Sequence, residues 1–188
     1  MDKVTEGNIW ELRVPRDRLA VLIGRKGDTK RELEEKAGIN LEIDSREGDV
    51  TVIQNGDPLK AALAVSVIQA IARGFSPQKA FFLFEENSQL IVISLREFAK
   101  PGSHRISEIK GRIIGTGGKT RKVMEELTNT SISVYGDTVS AIGDYVSVEY
   151  AREAITMLIN GSRQRTVYSY LEKNAKNLRL KRIEETFG

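Results

Sequence analysis

The chain has no cysteine and a single histidine, His104, among its 188 residues. Without thiols there is no disulfide framework and no thiolate metal site, and a reducing compartment fits. One imidazole cannot by itself build a histidine-based zinc site, and His104 reads as a solvated loop residue. Aromatic residues make up only 6% of the chain, so a ligand platform of stacked aromatic rings is not expected to dominate. Long apolar runs are missing too. The richest, Ala61 to Ala72, is interrupted by Ser66 and Gln69, and it falls short of the roughly 20 residues a bilayer span needs. Met1 to Asn8 is polar, with no basic region followed by an apolar one, so no signal peptide is expected. The chain reads as cytoplasmic, with no membrane partner.

What is there is ordinary for a globular protein: 40% apolar and 29% charged residues. The net charge is +3, unevenly spread. Residues 162–188 hold seven basic residues (Arg163, Arg165, Lys173, Lys176, Arg179, Lys181 and Arg182) against three acidic ones, a net +4 that leaves the rest at −1. Affinity of the body for a polyanion therefore has to come from local basic patches. The basic tail itself reads as a helix with a solvated face, or as a packing or partner surface.

The sequence repeats itself. Leu22-Ile23-Gly24-Arg25-Lys26-Gly27-Asp28-Thr29-Lys30-Arg31 overlays on Ile113-Ile114-Gly115-Thr116-Gly117-Gly118-Lys119-Thr120-Arg121-Lys122 at an offset of 91 residues. The register holds through Glu34-Glu35 over Glu125-Glu126, and through Leu41 and Ile43 over Ile132 and Val134. Such agreement marks a duplicated unit of some 70 residues.

Each copy reads in the same order. In the first, Ile9 to Val14 alternates as a strand and Pro15 closes it. A short helix follows from Arg16 to Ile23. Asp28 is placed to cap a second helix, Thr29 to Lys36, which Gly38 ends. Strands are expected at Ile39–Ile43 and Val50–Ile53, then a long helix carrying Leu59, Leu63, Val67, Ala70 and Ile71. Trp10 reads as core or interface. In the second copy the strands fall at Leu90–Leu95, Ser131–Tyr135 and Val139–Ile142. The helices fall at Ile106–Ile114 and Lys119–Leu127, and around Val148 to Ile159. Pro77 to Phe84 reads as an extra helix between the copies, and Gln164 to Glu185 as a final one.

Two glycines between two helices let the backbone turn tightly and approach a ligand closely. The second helix offers its N-terminal N–H groups and partial positive charge there, which suits a phosphate. Arg25 and Lys26 add charge in the first loop. Thr116 and Gly117 add none in the second, but Arg112, Lys119, Arg121 and Lys122 surround it. Gly118-Lys119-Thr120 is not a nucleotide-binding P-loop, which needs glycine where Ile113 stands. No paired carboxylates, nucleophile–histidine set or metal cluster supports catalysis. Glu34-Glu35 and Glu125-Glu126 read as helix surface.

The order strand–helix–Gly-x-x-Gly–helix–strand–strand–helix resembles the type I KH domain, twice over nearly the whole chain. Arg112 to Thr120, with Tyr135-Gly136-Asp137-Thr138-Val139-Ser140-Ala141-Ile142-Gly143, is similar to the archaeal and eukaryotic KH factors of small-subunit ribosome assembly, the partner-of-Nob group. The resemblance implies an α+β fold of two tandem KH domains, each a three-stranded antiparallel sheet packed on helices. The expected bounds are 1–87 for the first domain with an extra connecting helix, 88–162 for the second, and 163–188 for a basic C-terminal helix. It implies single-stranded RNA as ligand, in particular the 3′ region of small-subunit rRNA, with no cofactor. A protein partner such as an rRNA-maturing endonuclease is also implied. A KH loop clamps the backbone of about four nucleotides. By resemblance the bases lie in an apolar groove, floored by Leu22, Ile23, Leu41 and Ile43 in one copy and by Ile113, Ile114, Ile132 and Val134 in the other. One departure is shared by both copies. Many KH domains carry isoleucine three residues after the second glycine, where this chain has Lys30 and Arg121. A general mRNA regulator and a protein-docking adaptor remain as alternatives.

Overall fold

A computed structural model describes residues 7–187 of the chain. It forms two compact units, one ending at Glu86 and the other beginning at Asn87.

The first unit runs β1 (Ile9–Arg13), α1 (Arg16–Ile23), a 3-10 turn, α2 (Asp28–Ala37), β2 (Ile39–Ile43), β3 (Asp49–Gln54) and α3 (Pro58–Ala72). Its sheet has the order β1-β3-β2, with both pairings antiparallel. Alternation sets the faces. Ile39 and Leu41 point into the core while Asn40 and Glu42 are exposed, and Val50 and Val52 are fully buried. Trp10 is half-buried. α3 is the central helix: Ala61, Ala64, Val67, Ile68 and Ile71 are all fully buried. Its start is fixed by Asp57, whose side chain accepts from the Leu59 N–H at 2.8 Å, and by Pro58 at the first helical position. A short helix α4 (Pro77–Ala80) and a 3-10 turn through Phe84 then bury Ala80 and Leu83 against α3. Phe81 and Phe84 stand near the Lys36 ammonium at the end of α2, at 5.9 and 5.3 Å.

The second unit repeats this order with β4 (Ser88–Ser94), α5 (His104–Ile114), a 3-10 turn, α6 (Lys119–Thr128), β5 (Ser131–Tyr135), β6 (Thr138–Asp144) and α7 (Tyr145–Ile159). The sheet order is again the third strand in the middle, β4-β6-β5, antiparallel throughout. Ile91, Ile109, Ile113, Met124, Ile132 and Val139 form its core with α7. α8 (Gln164–Phe187) follows.

Two sequence expectations change, and one open alternative is decided. His104 is not in a loop: it opens α5, exposed, behind the Ser103 cap that accepts from the Ile106 N–H. Asp28 is not the cap of α2. Gly27 occupies that position, and Asp28 is the first helical residue. Of the readings open for the basic tail, α8 takes the packing one, because Val167, Leu171 and Leu178 bury against α6 and α7. Among the described residues no helix is long and apolar enough to cross a membrane.

Candidate nucleic-acid interface

The Gly-x-x-Gly segments form the same backbone in both units. The first glycine ends the preceding helix at φ 79° in Gly24 and φ 73° in Gly115. A β-carbon there would lie 2.7 Å from the Thr29 backbone nitrogen in one unit and 2.8 Å from that of Thr120 in the other, so no side chain fits. The second glycine serves differently. Gly27 and Gly118 are left-handed, at φ 78° and 76°, yet a β-carbon at Gly118 would meet nothing within 4 Å. Space in front of the loop is open.

Between the glycines the two copies diverge. Lys26 holds a left-handed φ of 53° where the second copy has Gly117 at 61°. Arg25 and Lys26 are exposed, as are Thr116 and Gly117. Arg31 is partly engaged, since its Nη2 donates to the Lys26 carbonyl at 3.0 Å and steadies the loop. Lys119 and Lys122 are exposed in the second unit.

The helices after the loops have bare starts. α3, α5 and α7 are capped by side chains, whereas α2 and α6 begin at a glycine with no side-chain cap. Their first-turn N–H groups and positive dipole end face the loop. The units differ here in a compensating way. In the first, Asp28 Oδ1 accepts from the Thr29 N–H at 2.7 Å, setting an acid against the Arg25–Lys26 charge. In the second, Lys119 takes that place beside an uncharged loop.

The apolar residues divide between core and surface. Leu22, Leu41, Ile113 and Ile132 do not floor a groove. They are 0%, 3%, 0% and 2% exposed and belong to the cores. Ile23 is half-buried and Ile114 is 36% exposed, while Ile43 and Val134 are half-buried. Each expected floor thus loses the member of its pair that points inward. Arg112 is half-buried, and its Nη1 donates to the Leu158 carbonyl at 3.4 Å, at the C-terminal end of α7. Arg18 does the same in the first unit, donating to the Ile71 and Phe75 carbonyls at 2.8 and 2.6 Å. Both arginines add a bond at a helix end, where the Ile71 and Leu158 carbonyls also accept from the Gly74 and Gly161 N–H groups.

One pair of residues was missed by the sequence reading. Glu34 is not helix surface: its Oε1 accepts from the Leu41 N–H at 2.8 Å and from Lys30 Nζ at 3.0 Å. Glu125 Oε1 accepts from the Ile132 N–H at 2.7 Å. Both carboxylates hold the open edge of β2 or β5 to the helix that follows the loop. The signal was present in the repeat, because both Glu34 and Glu125 keep the 91-residue register. Arg121, the counterpart of Lys30, makes no such pair, and its Nε is buried without a hydrogen-bond partner among the described residues.

Two β-α-α-β-β-α units, each with a glycine-hinged loop aimed at an uncapped helix start, define a tandem type I KH-domain protein. Residues 89–176 match the family model described as Eukaryotic type KH-domain (KH-domain type I), and residues 9–70 match that of the KH domain. A KH domain-containing protein of Methanocaldococcus jannaschii is 38% identical over 176 residues, which cover 92% of this chain and 77% of the relative. The pre-rRNA-processing protein pno1 of Schizosaccharomyces pombe is 28% identical over 63% of the chain, which spans half of that relative's length. Among solved structures, Dim2p from Pyrococcus horikoshii OT3 superposes with a TM-score of 0.82 at 40% identity, covering 88% of this chain and 99% of that one. An a/eIF2alpha-aDim2p-rRNA complex from the same organism gives 0.86 at 39% identity, covering 93% and 98%. The chain belongs to the KH-domain family, in the branch of the PNO1 pre-rRNA-processing proteins and archaeal Dim2p.

Proposed function

We propose that this chain binds single-stranded RNA through both Gly-x-x-Gly clefts and acts on the 3′ region of small-subunit rRNA during its maturation. The observation that carries this is the start of α6, which has no side-chain cap and lies behind a loop with open space in front of it; α2 repeats that backbone, with Asp28 Oδ1 on the Thr29 N–H. A phosphate backbone supplies what those N–H groups lack. In the first unit Gly24, Arg25, Lys26, Gly27, Lys30 and Arg31 form the cradle, with Ile23 and Ile43 as apolar surface for bases. In the second, Gly115, Thr116, Gly117, Gly118, Lys119, Arg121 and Lys122 form it, with Ile114 and Val134 beside them. Phosphate contacts position the strand and base edges specify it.

Every residue so used binds, positions or neutralises, so the protein acts as a cytoplasmic binding factor and not as an enzyme. The Pyrococcus relative in complex with a/eIF2alpha and rRNA supports an rRNA ligand here. It also supports a protein partner such as an initiation-factor subunit; an rRNA-maturing endonuclease remains a second candidate, from the sequence resemblance.

The test is binding of a ten-nucleotide RNA from the 3′ end of small-subunit rRNA, against an unrelated RNA, at two salt concentrations. Arg25→Asp/Lys26→Asp and Thr116→Asp/Gly117→Asp should each weaken binding, and the first should also flatten the salt dependence. If neither does, the loops are structural. Protein partners that stay bound after ribonuclease treatment would then favour a docking adaptor.

A further inference from the structure

We infer, resting on the RNA-binding function proposed above, that Tyr168 is a positioning residue for the second cleft. From α8 its hydroxyl holds Thr120 against the Gly115 turn, so the docking of α8 sets the shape of the loop. Tyr168 acts through Thr120 and not by contact with the ligand. The hydroxyl donates to Thr120 Oγ1 at 3.3 Å. Thr120 is 3% exposed and is the second residue of α6. Its side chain lies under the turn: a β-carbon on Gly115 would overlap Thr120 Oγ1 and come within 2.8 Å of Thr120 Cβ. Threonine divides between two χ1 rotamers in a helix. A donor aimed at Oγ1 selects one of them, and the selected one sets that oxygen against Gly115.

The turn itself has little else to fix it. The Gly118 N–H donates to the Gly115 carbonyl at 3.1 Å. Gly117 and Gly118 both hold left-handed φ, and a β-carbon on either would meet nothing within 4 Å. Two adjacent glycines give the backbone wide freedom. Among the described residues no side chain hydrogen-bonds the backbone of 116–118.

The first loop is steadied from within. Arg31 Nη2 donates to the Lys26 carbonyl at 3.0 Å, and Asp28 Oδ1 accepts from the Thr29 N–H at 2.7 Å. The 91-residue register places Lys122 and Lys119 at those two positions in the second unit. It also places Pro77, the first residue of α4, where the second unit has Tyr168. One loop is thus braced by its own residues and the other by the helix that follows its domain. α8 is held in place for this because Val167 and Leu171, on either side of Tyr168, are fully buried against α6 and α7.

Tyr168→Phe removes the hydroxyl and keeps the ring, and Tyr170→Phe is the matched control on the same helix. Amide hydrogen exchange on the RNA-free full chain reads the brace directly. Tyr168→Phe should speed exchange at the Gly118 N–H by about 2- to 10-fold, and Tyr170→Phe should not. Thr120→Val deletes the acceptor and should give the same rise, with no further rise when it is combined with Tyr168→Phe. Thr120→Ser keeps the acceptor and should stay near the wild type. Binding of the ten-nucleotide rRNA 3′-end RNA reads the function. Combined with Arg25→Asp/Lys26→Asp, which leaves only the second cleft, Tyr168→Phe should weaken binding by a similar factor. Combined with Thr116→Asp/Gly117→Asp it should have no effect, whereas a general loss of stability would lower both backgrounds alike. Unchanged Gly118 exchange in Tyr168→Phe overturns the assignment, and so does an affinity loss of equal size in both backgrounds. Failure of the wild type to bind the RNA overturns the function proposed above, and the exchange result still decides for or against the brace.

Discussion

Lys26 shows how one residue divides the two copies. Both loops need a left-handed residue before the second glycine, and the second copy supplies Gly117. The first uses a lysine, at a conformational cost of about 1–2 kcal/mol. The exposed ammonium is the evident return, since it stands at the mouth of the cradle. Lys26→Gly should therefore raise the stability of the first unit by on the order of 1 kcal/mol while weakening RNA binding. Thermal melts and anisotropy on the same preparation separate the two effects. The opposed signs are the point: a residue kept for packing would lose stability on removal. At this scale the glycines, the charges and the repeat register were legible in the sequence. Which of two adjacent aliphatics turns inward was not. Leu22 and Ile23 lie about 100° apart on one helix, and only the packing of α3 decides that Leu22 is the buried one.

Among elements, α8 departs most from its sequence. Its basic residues left a solvated face and a packing surface both open, and Val167, Leu171 and Leu178 form a narrow apolar line that decides for packing. That line docks on α6 and α7. The Tyr168 hydroxyl also donates to Thr120 Oγ1 at 3.3 Å, on the residue that closes over Gly115. Leu171 is fully buried, so Leu171→Ala should cost about 2–5 kcal/mol, read as a lower denaturant midpoint for the second unit. Alkaline pH provides a second check. Burial holds the Tyr170 hydroxyl above its usual range, with Glu153 and Tyr150 adding to the effect. The folded pKa is raised, so the stabilisation is present below the unfolded value near 10 and is lost as pH rises through the folded one. Tyr170→Phe should flatten the fall in melting temperature as pH rises above the unfolded tyrosine value near 10. The boundaries of the other elements followed from pattern, because each unit alternates or turns in step with its burial. The cap of α2 did not: Asp28 looks like a capping residue, but the left-handed Gly27 takes the position first.

For the whole molecule, two clefts that both bind as proposed would act as one stronger grip. Once one cleft holds a strand, the second binds at an effective concentration near mM for a short connection. A continuous RNA of roughly eight to twelve nucleotides, about four per cleft, should engage both. A ten-nucleotide ligand is expected to bind more tightly than a four-nucleotide one by about two orders of magnitude. Titration with both lengths checks it, and equal affinities would mean that the clefts work singly. The tandem architecture was the most legible feature of all, since a 91-residue register repeats glycines, charges and core positions together. The difference between the copies was the least legible, because it resides in hydrogen bonds such as those of Glu34 and Glu125.

Those two glutamates have a consequence apart from any ligand. β2 and β5 are edge strands, and an open edge invites another chain to add a strand and begin aggregation. Each carboxylate occupies an outward N–H of its edge. The glutamates therefore leave one outward donor fewer on each of these two edges for a second copy of the chain to pair with.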